Sequence, residues 1–405
     1  MLYRAYQNFA DIHDPVRLFA RASEQVAATW FSGAFHNPTR RLAAHYEQIA
    51  LLGFTHVRPA FNIQSIVDAF GIEQPVTEEV VYSTHFANLI RFAKPSHTPQ
   101  PKILLVAPMS GHFATLLAGT VKTLLQDHEV YVTDWLNIRD ISIEYGSFDF
   151  DSFTTHIIDF LEVLGPDSHL MAVCQPTVAC LAATAVLSEA KSPYVPASLI
   201  LMAGPIDIAQ NPTKVNELAL EEPLTWFEEK LIGNVPSQFA GAGRQVYPGF
   251  LQLMAFMSMN PDRHLESFRK LYEYRVNGEN DKANVIHEFY AEYFAIMDLS
   301  ADFYLQTLEK VFINRDLARR RLTYQGGLVN TNAIKKTFLL TIEGERDDIC
   351  GIGQTLAAQD LCNGLAGYKK THHLQAGVGH YGVFNGKRWE NQIYPVVRSH
   401  IQAAL

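Results

Sequence analysis

Six short runs, most of them apolar throughout, constrain this chain more than any other feature. They lie at residues 103–107, 130–133, 170–173, 198–203, 337–342 and 370–374, and each ends in turn or polar residues. A strand covered on both faces is apolar along its length, whereas a half-exposed strand alternates. Helical periodicity fills several of the gaps, at 114–125, 153–164 and 178–189. Strands alternating with helices predict an α/β fold with a mostly parallel central sheet clothed on both faces. Residues 1–95 are expected to form a mostly helical N-terminal extension, with a helix at 40–52 and one short strand at 79–83. A proline-containing loop is expected at 95–101. Roughly 130 residues then separate Gly204 from Phe338, far more than a strand connection needs. This interval is rich in aromatics and helical patterns, so 206–334 is expected to be an inserted helical cap on a core of 96–205 and 335–405.

Within the cap, residues 248–259 (PGFLQLMAFMSM) are apolar on nearly every helical face. Such a helix is ordinarily buried; the functional alternative is an apolar channel wall or a docking patch for a hydrophobic particle. Gly241-Ala242-Gly243 lacks the third glycine and the preceding strand of a dinucleotide fingerprint.

Composition excludes several classes. With 48% hydrophobic residues the chain has material for a large core and is not disordered. A net charge of −9, with no Lys/Arg run long enough for a phosphate-binding stripe, argues against nucleic acid or acidic membranes as partners. No apolar stretch approaches the ~18 residues of a bilayer span, and the opening residues lack the apolar centre of a secretory signal. The four cysteines show neither CxxC pairs nor metal-ligand spacing, so free thiols in a reducing cytoplasm are expected.

The segment HLMAVCQPTVACLAATAVL, residues 169–187, carries the chemistry. An apolar run ends at Val173, Cys174 follows, and a helical pattern begins soon after. A nucleophile at a strand-to-helix turn stands at the carboxyl end of a sheet, where a helix N-terminus favours a thiolate. The usual elbow is G-x-S-x-G; here Ala172 and Pro176 replace the glycines. Alanine still permits close packing, and proline suits a first helical turn. The plain alternative for Cys174 is a buried core cysteine.

Two later segments bear on the choice. LLTIEGERDDIC, 339–350, reads as a strand running into a turn with Asp347 and Asp348; LQAGVGHYG, 374–382, puts His380 in a glycine-rich loop after the last strand. Nucleophile, acid and histidine then follow in the chain order of α/β-hydrolases, each just beyond a predicted strand. Asp347, first after the turn, is the preferred acid. Asp348 is expected to bond the turn, to be solvated, or to contact substrate. One oxyanion donor is expected to be the Gln175 N–H, and the second the N–H of Met109, or Ser110, in the loop APMSGHF. His112 in that loop is a candidate for substrate contact or for a structural hydrogen bond. Asp134 and Trp135 end another predicted strand, where a turn cap and a packing aromatic compete with site contact.

Taken together, these segments resemble the intracellular poly(3-hydroxybutyrate) depolymerase family. The resemblance runs through YRAYQNFAD, LLVAPMSGHFATLL, YVTDW, MAVCQPT, AEYFAIMDLSADFYLQTL, EGERDDICGIGQT and GVGHYGVFNGKRW. Ala179-Cys180, beyond the elbow, is the local departure. The resemblance implies an α/β-hydrolase with Cys174 as nucleophile, Asp347 as acid and His380 as base. It also implies hydrolysis of a storage polyester or its oligomers through a thioester, in the cytoplasm at polyester granules, with no metal or cofactor required. The rivals are a polyester synthase-like acyltransferase, thiolysis with CoA as acceptor, and a non-catalytic granule coat.

Overall fold

The computed structural model describes residues 2–30, 36–95 and 99–405. Residues 96–98 of the expected loop lie outside that description.

Eight strands form the central sheet: β1 Thr77–Ser83, β2 Ala87–Ala93, β3 Lys102–Val106, β4 Glu129–Trp135, β5 His169–Val173, β6 Ser198–Met202, β7 Phe338–Gly344 and β8 Lys370–Gln375. Their spatial order is β8-β7-β6-β5-β3-β4-β2-β1. β2 runs antiparallel to both β1 and β4, and every other pairing is parallel. This is the sheet of an α/β-hydrolase. The six predicted runs are its six parallel strands. β5 and β6 are buried at every residue, hence their uninterrupted apolar sequence. β8 is an edge, and its Lys-Thr-His-His sequence is largely exposed.

One expectation is corrected here. The strand expected at 79–83 is present as β1, but the extension also contributes the unforeseen β2, so 77–93 belong to the main sheet and not to a mostly helical segment. β1 is exposed along its whole length and its register shifts between Val80 and Tyr82, so its sequence carries no core-facing alternation.

Helices α1 Leu2–Trp30 and α2 His36–Leu51 precede the sheet. α3 Ala118–Leu124, α4 Phe150–Leu164 and α5 Thr177–Glu189 connect its strands. Asp149 caps α4 by accepting the Ser152 N–H at 2.8 Å, and Gly165 ends it with φ +84°. Between β6 and β7 come α6 Lys214–Glu221, α7 Leu224–Leu231, α8 Gly249–Met259, α9 Pro261–Asn277, α10 Asn280–Tyr293 and α11 Ala301–Thr307. These helices share a core with the N-terminal pair: Leu51 of α2 packs with Phe250, Leu271, Tyr290 and Phe294. Glu47 of α2, 2% exposed, accepts from Arg275 Nε and Nη2 at 2.8 Å each and contacts His287 Nδ1 at 2.8 Å. The expectation of a buried helix at 248–259 needs adjustment. α8 buries Gly249, Phe250 and Leu253, while Met254 is 56% exposed.

Buried ionisable groups set how stability responds to acid. Burial pushes His112 down to about 4. Burial, helped by His128 and His400, does the same to His169. Such groups stay neutral in the fold while the unfolded chain takes up protons, so their contribution is present above about pH 6.5 and is lost as pH falls toward 4. Asp298 acts oppositely: burial raises its carboxyl to about 6 despite the Tyr3 hydroxyl bonded to it, so its cost grows as pH rises from about 4 to 6. At about 1.4 kcal/mol per unit for each group, the two histidines outweigh the acid. The urea midpoint is therefore expected to fall between pH 6.5 and 4, and Asp298→Asn to steepen that fall. A midpoint that rises on acidification would contradict it.

Candidate active site

β5 delivers Cys174 into the left-handed region, with φ +66°. A non-glycine residue holds that conformation only where its surroundings over-determine it. Here the Cys174 N–H donates to the Met202 carbonyl at 2.8 Å, and its own carbonyl accepts the Thr177 N–H at 3.2 Å. Ala172 beneath is fully buried. Pro176, with φ −69°, leads straight into α5 without needing a donor of its own. The turn also depends on Gly204: a Cβ there would overlap the Thr177 side chain and lie 2.6 Å from the Cys174 carbonyl oxygen. Gly204→Ala is therefore expected to cost about 1–3 kcal/mol by overpacking and to reduce activity more than a remote substitution of equal cost. Denaturant titration beside steady-state rates checks this; an unaltered variant would mean the turn has slack.

The sulfur stands apart from the other three thiols. Cys174 is half-buried, whereas Cys180, Cys350 and Cys362 are buried. Burial raises all three of those thiols, Cys362 to about 12. Cys174 is thus not an interior packing cysteine.

His380, 6% exposed, begins a short 3-10 turn after Gly379 and donates from Nδ1 to Asp347 Oδ2 at 2.8 Å. Its ring also interacts with Cys174. Burial works to lower this imidazole, but the Asp347 carboxylate and Cys174 more than offset it, so the pKa rises well above the usual histidine value. Asp347 is held in turn: Oδ1 accepts the Ile349 N–H at 2.9 Å and the Cys350 N–H at 2.8 Å, and the side chain is wholly buried. Asp348 behaves differently. It is exposed and accepts from Asn260 Nδ2 at 2.7 Å, tying the β7 turn to the end of α8.

The Met109 N–H lies beside the elbow and donates to the Gln175 side-chain oxygen at 3.3 Å. Met109 is 1% exposed, and Ser110 follows it half-buried. A donor from this loop next to the residue after Cys174 is the arrangement an oxyanion requires.

For three residues left between packing and site contact, the structure shows the packing role. His112 is 3% exposed, bonded to the Tyr293 carbonyl at 3.2 Å and sandwiched between the rings of Phe256 and Tyr293. It joins the oxyanion loop to the insertion instead of facing a ligand. Trp135 is 1% exposed, stacks on Phe153 and donates to the Ala107 carbonyl at 2.9 Å. Asp134 is buried in an ion pair with Arg58 at 2.8 Å. Being neighbours on a strand they face opposite ways: Trp135 packs on the aromatics of α4, and Asp134 is covered by Arg58 from the loop after α2.

Sequence reasoning passed over Tyr381. It follows His380 directly, interacts with Cys174, and meets Phe289 and Tyr293 of α10 at ring-centroid distances of 6.0 and 6.3 Å. The insertion thus packs two aromatic rings on the residue that follows His380. Among the described residues, no group of three or more His, Cys, Asp or Glu side chains is disposed to hold a metal ion.

The model of the family "PHB de-polymerase C-terminus" matches residues 203–404, the stretch that holds the insertion, Asp347 and His380. The chain belongs to the PHB depolymerase family. It is accordingly a carboxylic ester hydrolase. Cys174 lies upstream of the matched stretch. No curated protein matches. Similar solved structures include a putative lipase from Acinetobacter baumannii AYE, 11% identical with TM-score 0.43, covering 81% of this chain and 93% of that one. The α/β hydrolase GrgF from Penicillium sp. sh18 is 14% identical with TM-score 0.47, covering 82% and 98%. A putative aryl esterase from Burkholderia cenocepacia is 12% identical with TM-score 0.45, covering 80% and 100%. Among the described residues, no helix is long and apolar enough to cross a membrane.

Proposed function

We propose that this PHB depolymerase family member cleaves ester bonds of poly(3-hydroxybutyrate) or its oligomers through a Cys174–His380–Asp347 triad and a thioester intermediate. The observation that carries this reading is the His380 imidazole, bonded to Asp347 on one side and interacting with the half-buried Cys174 on the other.

Each step uses a group already described. His380 takes the Cys174 proton, and its raised pKa, set by Asp347, suits it to hold that proton beside a thiolate. The sulfur attacks the ester carbonyl. The Gln175 and Met109 N–H groups receive the oxyanion, the latter once the Gln175 side chain has yielded it. Collapse expels the alkoxide, which leaves with the proton from His380, and the acyl group remains on Cys174. Water then enters, gives its proton to the same imidazole and attacks the thioester. The product is a 3-hydroxyacid end, and the Cys174 sulfur is regenerated. The reading also carries a place at cytoplasmic polyester granules.

Rapid acid quench during turnover of a 3-hydroxybutyrate dimer ester, followed by peptide mass analysis, tests the intermediate. A hydroxybutyryl mass on the peptide containing Cys174 is expected. Its absence there, or its presence on another residue, would reject the thioester route. Product analysis with and without CoA separates hydrolysis from thiolysis, and free acid as the product in both is expected.

A further inference from the structure

The Gln175 side chain is half-buried at the elbow, and its two polar atoms are treated very differently. Its oxygen accepts the Met109 N–H at 3.3 Å. Because a backbone N–H can only donate, this contact fixes the amide orientation and turns Nε2 the other way. That nitrogen is buried and has no hydrogen-bond partner. A buried donor left unpaired is disfavoured, and its presence calls for an explanation. Gln175 therefore caps one expected oxyanion donor with its own carbonyl, and the nitrogen of the same amide holds an unused N–H one residue from Cys174.

We propose that Gln175 is a substrate-positioning residue whose carboxamide stands in for an ester carbonyl in the free enzyme. An entering ester carbonyl displaces it from Met109, and the freed side chain then donates Nε2–H to a carbonyl oxygen of the neighbouring repeat. This rests on the proposed polyester reading and extends it to the second repeat. The chemistry matches: the interior repeats of a hydroxyacid polyester carry acceptor oxygens and no donors, so a lone protein donor finds a partner at every repeat. A simple monoester offers one carbonyl, which the oxyanion donors use, and leaves Nε2 unpaired.

The test compares the wild type with Gln175→Ala and Gln175→Met on two substrates, a 3-hydroxybutyrate dimer methyl ester and 4-nitrophenyl butyrate. With the cap and the donor both gone, KM for the monoester is expected to fall about threefold while KM for the dimer rises. The KM ratio of the two substrates should shift by about tenfold, the equivalent of one hydrogen bond, with kcat changing less than KM. Gln175→Met keeps the side-chain volume and guards against a collapsed loop. An equal loss on both substrates would reduce Gln175 to a brace for the Met109 loop and overturn the proposal; so would no change on either. Cys174→Ala in the same assays keeps the two ideas apart: turnover surviving there defeats the triad reading, whereas an unshifted ratio defeats only this one.

Discussion

Cys174→Ala is expected to abolish turnover of a 3-hydroxybutyrate dimer ester, with kcat falling by on the order of 10³-fold or more. Without the sulfur no thioester forms, and His380 has only water to activate, at a position the site did not evolve to hold it. The fold should survive, because Cys174 is half-buried and alanine removes one atom from the edge of the core, while His380 keeps its bond to Asp347. Far-UV circular dichroism and a melting temperature within a few degrees of wild type would establish that the loss is chemical. Cys180→Ala makes the useful control. That thiol is buried in α5, and its removal should lower stability while sparing the chemical step. Unchanged turnover in Cys174→Ala would remove this residue from the mechanism.

The second large effect separates two adjacent carboxylates. Asp347→Asn is expected to lower kcat by about 10²–10⁴-fold, since an amide neither holds the productive imidazole tautomer nor balances imidazolium. Asp348→Asn should cost less than about threefold, because that side chain is exposed and its hydrogen bond goes to Asn260, not to His380. The sign of the pH effect follows from the same geometry. The Asp347 carboxylate is the main influence that keeps His380 high against the opposing pull of burial. Neutralising it lets burial prevail, so the imidazole loses its proton at lower pH and the alkaline limb of kcat/KM moves down. A larger loss at Asp348, or an alkaline limb that moves up in Asp347→Asn, would overturn the assignment of the acid.

How far the sequence could be read depended on burial. β3, β5 and β6 were legible because strands covered on both faces must be apolar throughout. β1 was legible at 79–83 from its Val-Val-Tyr centre, whereas β2, Ala87–Ala93, was missed: its NLIRF stretch mixes charged and apolar residues and has no continuous apolar run. The pairing of α2 with the insertion was also invisible in one dimension. It rests on Glu47 meeting Arg275 and His287 across more than half the chain, and a lone glutamate in a helix announces nothing. Trp135 and His112 stayed undecided between packing and site contact for a related reason. Their positions at strand ends suit a site, yet whether such a side chain turns toward ligand or core is settled by what packs above it. For His112 that is Phe256 and Tyr293, contributed by the insertion.

The sequence by itself determined the parallel sheet, the long insertion and the chain order of cysteine, acid and histidine, because these are matters of local apolar pattern and of which residues follow which strand. Only the tertiary structure decided that Asp347 and not Asp348 reaches His380, that Gln175 caps the Met109 N–H, and that aromatic rings of the insertion pack on Tyr381. Those outcomes turn on side-chain directions at 3 Å scale between segments far apart in the chain, and short-range periodicity carries no information about them.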